Sequence, residues 1–571
     1  MLYRKPPLLA QPTMADWIDH IASVGIYPPI GIARVGNSTE PNIGDGWYYG
    51  PEVPGRYDEP PGGFKDTTGA VKRQAARFRV FAFDANKTVL GEVNANNGFT
   101  LDWTVRVANK KASWYAFMGK CSIKLVHSNQ VMQPFATQIY NLMYLLPDDR
   151  HLLIVDSGEQ KINKVNQAPV PLAGQFFGSK DTGTDVYLGE ARSDEEGRLV
   201  VLAGRGLSFS IATEGIKYPL ILTDFDSPDW IDDTSDGWIS VKVTHLPTAK
   251  SFSPSTRARV IGTTPKFANG IYAPTTLYDV MEEIYEQPKR TAAGAAYDVG
   301  PVDWYKDIWP LLVRPPLLSW VNGQANGGHG PNGPGNFYDP KWQEVLSDSS
   351  EDNKPQRKGI LGRMRLPETN AKYDKARGGQ AFPYFMPWLS GDGGRATPGD
   401  PTTFSSITEL QYDRLVKWSD GYFTSNTSCK CGSLCQCSPP GDIEEVPLQD
   451  RPGQLTKASL EATIGAPLYP GIELSWNAEV SETYNLESPF TINEDVKQGD
   501  LTKYLSLPWQ SDFYMCRSYW WPSARPDAIV SEVDYKRLQK AFQPSDLAKG
   551  LTKRVPWERG IHQNYTGMLF V

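Results

Sequence analysis

The stretch Leu101-Asp102-Trp103-Thr104-Val105-Arg106-Val107 decides the fold class. Leu101, Trp103, Val105 and Val107 alternate with polar neighbours, so a strand places all four on one face and their neighbours on the other. Outward from it, Val80, Phe81 and Phe83 fill the preceding apolar run, and Asp84-Ala85-Asn86-Lys87 between the two is rich in turn formers. Leu199-Val200-Val201-Leu202-Ala203-Gly204 reads as a buried strand ending at glycine. Gly237 to Thr244, with Trp238, Ile239, Val241 and Val243, reads as another, entered from the turn-forming pair Asp236-Gly237. The first ~250 residues are therefore expected to be mainly strands.

Helical spacing appears later. Leu277, Val280, Met281 and Ile284 sit at i, i+3, i+4 and i+7, with Thr275 or Thr276 placed to cap and Pro288 to stop the helix. Ile407, Leu410, Leu415 and Trp418 describe a second helix, followed by Gly421, and Leu455 to Ile464 a third, closed by Gly465. The expected class is α+β, mainly β. A β-rich N-terminal domain over 1–260 precedes a C-terminal domain of mixed helix and strand over 261–571, divided where Pro247, Pro254 and Pro265 break the pattern.

A chain of 571 residues exceeds one ordinary core, which agrees with two domains. Hydrophobic residues at 40% and charged residues at 22% describe a soluble globular protein. A net charge of −7 without a basic run argues against a nucleic-acid or anionic-membrane partner. No stretch approaches the ~20 apolar residues that span a bilayer. The N-terminus lacks a sustained apolar region, so a standard secretory signal is not expected, leaving the cytoplasm or a non-standard export route.

Several motifs are weighed on their chemistry. Gly327-Gly328-His329-Gly330-Pro331-Asn332-Gly333-Pro334-Gly335 has two prolines that remove N–H donors and no Lys-Ser/Thr after it, so a structural loop with an exposed or gating His329 fits better than a phosphate cradle. Cys429, Cys431, Cys435 and Cys437 could hold zinc, form two local disulfides, or stay reduced on the surface. With six histidines and no His-x-x-x-His, a His-based catalytic metal site has no support, and no metal is expected at the active site. Glu282-Glu283 reads as a solvated pair on a helix surface. Asp512, Cys516 and Trp520 share a face as helix or strand, a spacing that a buried cysteine with a nearby cap also explains.

Other segments add weight to that last spacing. They are Ile26-Tyr27-Pro28-Pro29-Ile30-Gly31-Ile32-Ala33-Arg34-Val35-Gly36-Asn37-Ser38, Phe64-Lys65-Asp66, and Val71-Lys72-Arg73-Gln74-Ala75-Ala76-Arg77-Phe78-Arg79. Later come Pro470-Gly471-Ile472-Glu473, Pro508-Trp509-Gln510-Ser511-Asp512-Phe513, Cys516, Trp520-Trp521-Pro522 and Arg525-Pro526-Asp527. Together these resemble the L-lysine 6-oxidase and glycine oxidase family, whose cofactor is a cysteine tryptophylquinone built from the enzyme's own side chains.

The resemblance implies a quinoprotein that deaminates a primary amine or amino acid with O2, yielding an aldehyde or oxo-acid, ammonia and hydrogen peroxide. It makes Cys516 the thioether cysteine and Asp512 the carboxylate for cofactor formation and proton abstraction. The family's partner tryptophan lies well downstream of the cysteine. Trp557 is the only tryptophan after Trp521 and so is the candidate, while Trp520 is closer in sequence but out of the family pattern. A flavoprotein maturation partner and a homo-oligomer are also implied. The competing reading is a truncated, catalytically silent scaffold or ligand-binding relative without the quinone, because the chain ends at Val571 about where the family's terminal tryptophan segment is expected.

Overall fold

The computed structural model describes residues 17–55, 59–113, 149–178, 182–211, 229–265, 275–319, 323–367, 385–387, 407–425, 441–463, 480–503, 505, 528–530 and 554–556. Nine strands form the main path of a large sheet. They are β1 (Ile30–Arg34), β2 (Arg73–Phe83), β3 (Phe99–Asn109), β4 (Val155–Asp156), β5 (Val170–Phe176), β6 (Thr184–Ser193), β7 (Leu199–Ala203), β8 (Ser235–His245) and β9 (Ala258–Thr263). Their order is β4-β3-β8-β9-β1-β2-β7-β6-β5, with five further strands attached off the path. Only the β9–β1 neighbours on this path run parallel. Two further short strands, β10 (Ala528–Val530) and β11 (Arg554–Pro556), pair with each other.

The alternation in β3 does what its sequence predicts. Leu101, Trp103, Val105 and Val107 are buried, as are Ala76, Phe78, Val80 and Ala82 of β2 and Ile239, Val241 and Val243 of β8, and all belong to one core. Strands well separated in the sheet order thus share an interior, so the sheet curls nearly closed around it. The Trp103 indole N–H donates to Gly197 O at 2.9 Å, which satisfies the donor of this fully buried side chain. The Asp84–Lys87 turn also forms, with Asn86 N and Thr88 N both donating to Asp84 Oδ1 at 2.8 Å.

Beyond the sheet the chain turns helical. Among the described residues the α-helices are α1 (Leu277–Ala293), α2 (Trp309–Leu318), α3 (Gly323–His329), α4 (Pro340–Ser347), α5 (Lys354–Leu361), α6 (Glu409–Ser419) and α7 (Arg451–Glu461). α1 and α7 cover the outer face of β1 and β9, where Ile30, Ile32 and Ile261 meet Leu277, Met281 and Leu460. A separate tryptophan-rich cluster, including Trp304 and Trp418, unites α2, α4 and α6.

Thr276 and Asp279 close a reciprocal capping box at the start of α1. Pro288, expected to stop this helix, instead lies within it. A proline costs one intrahelical bond but has a helical φ, and Arg290 beyond it pairs with Glu283 and Asp413 at 2.8 Å each, which holds the last turns. α7 begins earlier than its apolar spacing suggests because Pro452 is tolerated in a first turn; Ile464 and Gly465 lie outside the described residues. Asp236-Gly237, expected to be a turn, is inside β8. There Gly237 is required by crowding, since a Cβ would lie 1.9 Å from Arg106 O.

Buried charge joins the layers. Arg79 of β2 is 1% exposed and pairs with Glu52 at 2.9 Å, Glu92 at 3.3 Å and Glu444 at 2.6 Å. Burial alone would push the Glu52 carboxyl up, but Arg77 and Arg79 outweigh it and hold it at about 2. Elsewhere Asp233 accepts N–H bonds from Arg205 at 2.6 Å and Leu207 at 3.1 Å. Burial, reinforced by neighbouring Asp232, raises its carboxyl from 3.8 to about 6.

Arg79→Met takes one of two arginine partners from each of Glu52, Glu92 and Glu444, leaving three carboxylates to Arg77 and Arg198, and should cost about 3 kcal/mol in urea denaturation. Glu444→Gln, at a site that water reaches, should cost less than about 1 kcal/mol; equal losses in the two variants would contradict this account of the layer. Asp233 gives a prediction in pH. Its folded form holds the proton more tightly than the unfolded chain, so its contribution is complete below pH 3.8 and is lost as pH rises through about 6. Asp233→Asn keeps a carbonyl oxygen for both donors and removes that loss. The melting temperature of the variant minus that of wild type should climb between about pH 4 and about pH 7, and a flat difference would refute the assignment.

Candidate functional site

One end of the sheet buries a dense group of polar side chains. β3 ends here, β8 begins, β9 and β1 end, and β2 begins: Ala108 lies opposite Asp236, Gly262 opposite Ser235, Thr263 opposite Arg34, and Arg34 opposite Gln74. Arg34, Asn109, Lys111, Asp232, Asp236 and Thr263 are each no more than 2% exposed. Such enclosure is tolerable only if hydrogen bonds replace water.

They do. Lys111 Nζ lies 2.5 Å from Asp232 Oδ2 and 3.3 Å from Thr234 Oγ1. Burial lowers the pKa of the Lys111 ammonium against the pull of Asp232. Asn109 Nδ2 donates to Asp232 O, Asp232 Oδ1 and Thr234 O, each at 2.9 Å. The dense run Asp229-Trp230-Ile231-Asp232-Asp233-Thr234-Ser235-Asp236 was the available sequence signal for this end, and its four acids are all buried.

The N-terminal motifs meet beside the same strand ends. Asn37 Oδ1 accepts from Val71 N at 2.7 Å, and Ser38 Oγ donates to Asp66 Oδ2 at 2.6 Å. Lys72 Nζ donates to Gly44 O at 2.5 Å and Pro61 O at 2.7 Å, and Gln74 Nε2 to Ile32 O at 3.0 Å. These motif side chains tie loops and strand ends together.

The stretch over 480–505 is fastened to this end from outside. Arg259 of β9 donates to Val496 O at 2.7 Å and Asn493 O at 2.9 Å. Lys110 pairs with Asp500 at 3.1 Å. Asp236 accepts from Gly499 N at 3.0 Å, Thr502 N at 2.8 Å and Thr502 Oγ1 at 2.7 Å. Burial raises the Asp236 carboxyl to about 6, with the Thr502 bonds opposing. Leu501 and Leu505, each 1% exposed, complete the attachment.

Asp512, Cys516 and Trp557 lie outside the described residues, as does the loop of Cys429, Cys431, Cys435 and Cys437. In sequence the described residues on either side of Asp512 and Cys516 are Leu505 and Ala528, and Ala528 lies opposite Pro556, the residue before Trp557, in the β10–β11 pair. Among the described residues no group of three His, Cys, Asp or Glu side chains could hold a metal. No described helix is long and apolar enough to cross a membrane.

Two expectations change. His329 is neither exposed nor on an open loop: it ends α3, its Nδ1 lies 3.0 Å from Gly335 O, and its ring packs near Phe337. Burial lowers its pKa. Glu282 and Glu283 are not simply solvated, since Arg414 donates to Glu282 at 3.0 Å and Leu410 N to Glu283 at 2.6 Å. They join α1 to α6.

The family pattern described as L-lysine epsilon oxidase N-terminal matches residues 27–261. The L-lysine epsilon oxidase C-terminal domain matches residues 387–539. L-lysine 6-oxidase of Marinomonas mediterranea is 26% identical over 566 residues, covering 86% of this chain and 71% of that protein. The crystal structure of the L-Lys epsilon-oxidase from the same organism superimposes with a TM-score of 0.63 at 22% identity, covering 96% of this chain and 91% of the other. A crystal structure of that enzyme's Schiff base intermediate with L-Lys gives a TM-score of 0.64 at 22% identity, with the same coverage. With both halves of one family matched in order over more than half its length, the chain belongs to the L-lysine ε-oxidase family.

Proposed function

We propose that this protein is a quinoprotein amine or amino-acid oxidase of the lysine 6-oxidase type. It would convert a primary amine and O2 to an aldehyde or oxo-acid, ammonia and hydrogen peroxide. The observation that carries this reading is that Asp512 and Cys516 fall inside the C-terminal family match over 387–539. A cysteine tryptophylquinone would supply the electrophile and electron sink that ordinary side chains lack. Cys516 and Trp557 are the residues assigned to it. Support for Trp557 comes from the β10–β11 pairing, which joins backbone following the Cys516 motif to backbone directly before this tryptophan.

In this reading Asp512 takes the proton from the carbon bearing the nitrogen, help that typically contributes about 100- to 10,000-fold. A lysine ε-amine, with a pKa of ~10.4, arrives mainly as ammonium and must lose a proton before it can attack. Lysine is the substrate named for the curated relative, and it is the first to test here. A flavoprotein that assists maturation and a homo-oligomeric state complete the proposal. The silent-scaffold alternative is disfavoured because both halves of the chain match an oxidase family.

Purified protein given lysine, glycine and a panel of primary amines should release peroxide, and Asp512→Ala should reduce turnover by about 100-fold or more. Peptide mapping should recover Cys516 joined to Trp557 by a thioether. Free Cys516 thiol with every tryptophan unmodified, together with no peroxide from any amine, would return the scaffold reading.

A further inference from the structure

We infer that Asp236 is a positioning residue for the catalytic segment, a role that rests on the oxidase reading above. The stretch over 493–503 contains no helix or strand, so side-chain anchors set its place instead of a ladder of backbone bonds. Most anchors grip its first half or its flank: Arg259 holds Asn493 O and Val496 O, and Lys110 holds Asp500. Asp236 alone among these reaches Thr502, taking both its amide and its hydroxyl on Oδ2 while Oδ1 takes Gly499 N. It is only 1% exposed, so water cannot stand in for it.

This grip sits shortly before Asp512 in sequence. Leu505 N donates to Thr502 O at 3.0 Å, which carries the fixed geometry to the last described residue before that segment. A carboxylate that removes a carbon-bound proton must be held within a fraction of an ångström, and small misplacements are costly. Two independent bonds at Thr502 restrict rotation as well as distance. A single bond would leave the chain free to pivot.

Asp236→Ala removes both carboxylate oxygens but leaves the main-chain bond from Gly499 N to Asp236 O, at 3.0 Å. The full-length variant should therefore fold and yet misplace the chain beyond Thr502. Below the melting temperature of every variant, its kcat or its quinone content per chain should fall by about tenfold or more, with KM for lysine changed by less than about twofold. Thr502→Val, which deletes one donor, should give a smaller loss of the same kind, and Asp236→Asn, which retains one acceptor, should recover part of it. Wild-type kcat and quinone content in Asp236→Ala would overturn the inference. If that variant does not fold, unchanged kcat in both Thr502→Val and Asp236→Asn would overturn it equally. Wild-type protein lacking a quinone is a different result, because it removes the oxidase reading itself.

Discussion

The guanidinium of Arg79 sits where three separate stretches of chain must meet. Glu52 comes from the loop after the strand Trp47–Tyr49, Glu92 from the strand Val89–Val93, and Glu444 from the turn Ile443–Glu445 before α7. A planar group with five donors can serve several carboxylates at once, which a lysine ammonium does less well. Each carboxylate also has a second arginine, Arg77 for Glu52 and Arg198 for Glu92 and Glu444, and Arg79 is the one shared by all three. The arrangement fixes how α7 approaches β2. From α7, Ser459 Oγ donates to Ile30 O at 2.7 Å, and Leu460 enters the cluster shared with α1. The placement of the outer helices on the sheet thus traces back to charge balance on one face of one strand.

The polar end of the sheet applies the same logic to backbone without regular structure. A strand or helix positions itself through its own ladder of hydrogen bonds, whereas a turn-rich segment takes its position from outside. Over 493–503 the outside groups include Arg257 and Arg259 at the start of β9, Lys110 after β3, Asp156 of β4 and Asp236 of β8. These anchors all come from the half of the chain matched as the family's N-terminal part. The segment they hold belongs to the half matched as C-terminal. The two halves are therefore joined through specific acceptors and donors as well as apolar contact.

The strands were readable because one face of each is buried. Leu101 to Val107 shows this directly, and the unbroken run Leu199–Ala203 is apolar because every residue of β7 is buried. Thr276 was readable as a cap because its partner is three residues away. Asp236-Gly237 was misread because local turn preference lost to distant partners: Thr502 is 266 positions away, and β3 presses on Gly237. Glu282 and Glu283 looked solvated for the same reason, since Arg414 and Leu410 are equally invisible from the helix that bears the acids. The roles proposed for Asp512, Cys516 and Trp557 came from family resemblance, because four-residue spacing alone fits a buried, inert cysteine better.

Enclosing so many polar groups at one sheet end is not an efficient route to stability, since a buried ion pair such as Lys111–Asp232 gains little over well-packed apolar side chains. What it supplies is uniqueness. An apolar contact between Thr502 and the sheet would tolerate sliding and rotation, while three directed bonds to one carboxylate permit a single register. Raised acids such as Asp233 and Asp236 show that the enclosure carries a real cost near neutral pH. That cost falls where the stretch over 493–503 is fastened to the sheet. The proton abstraction proposed for Asp512 is more sensitive to geometry than folding is, so a fixed register held at the expense of stability is consistent with that proposal.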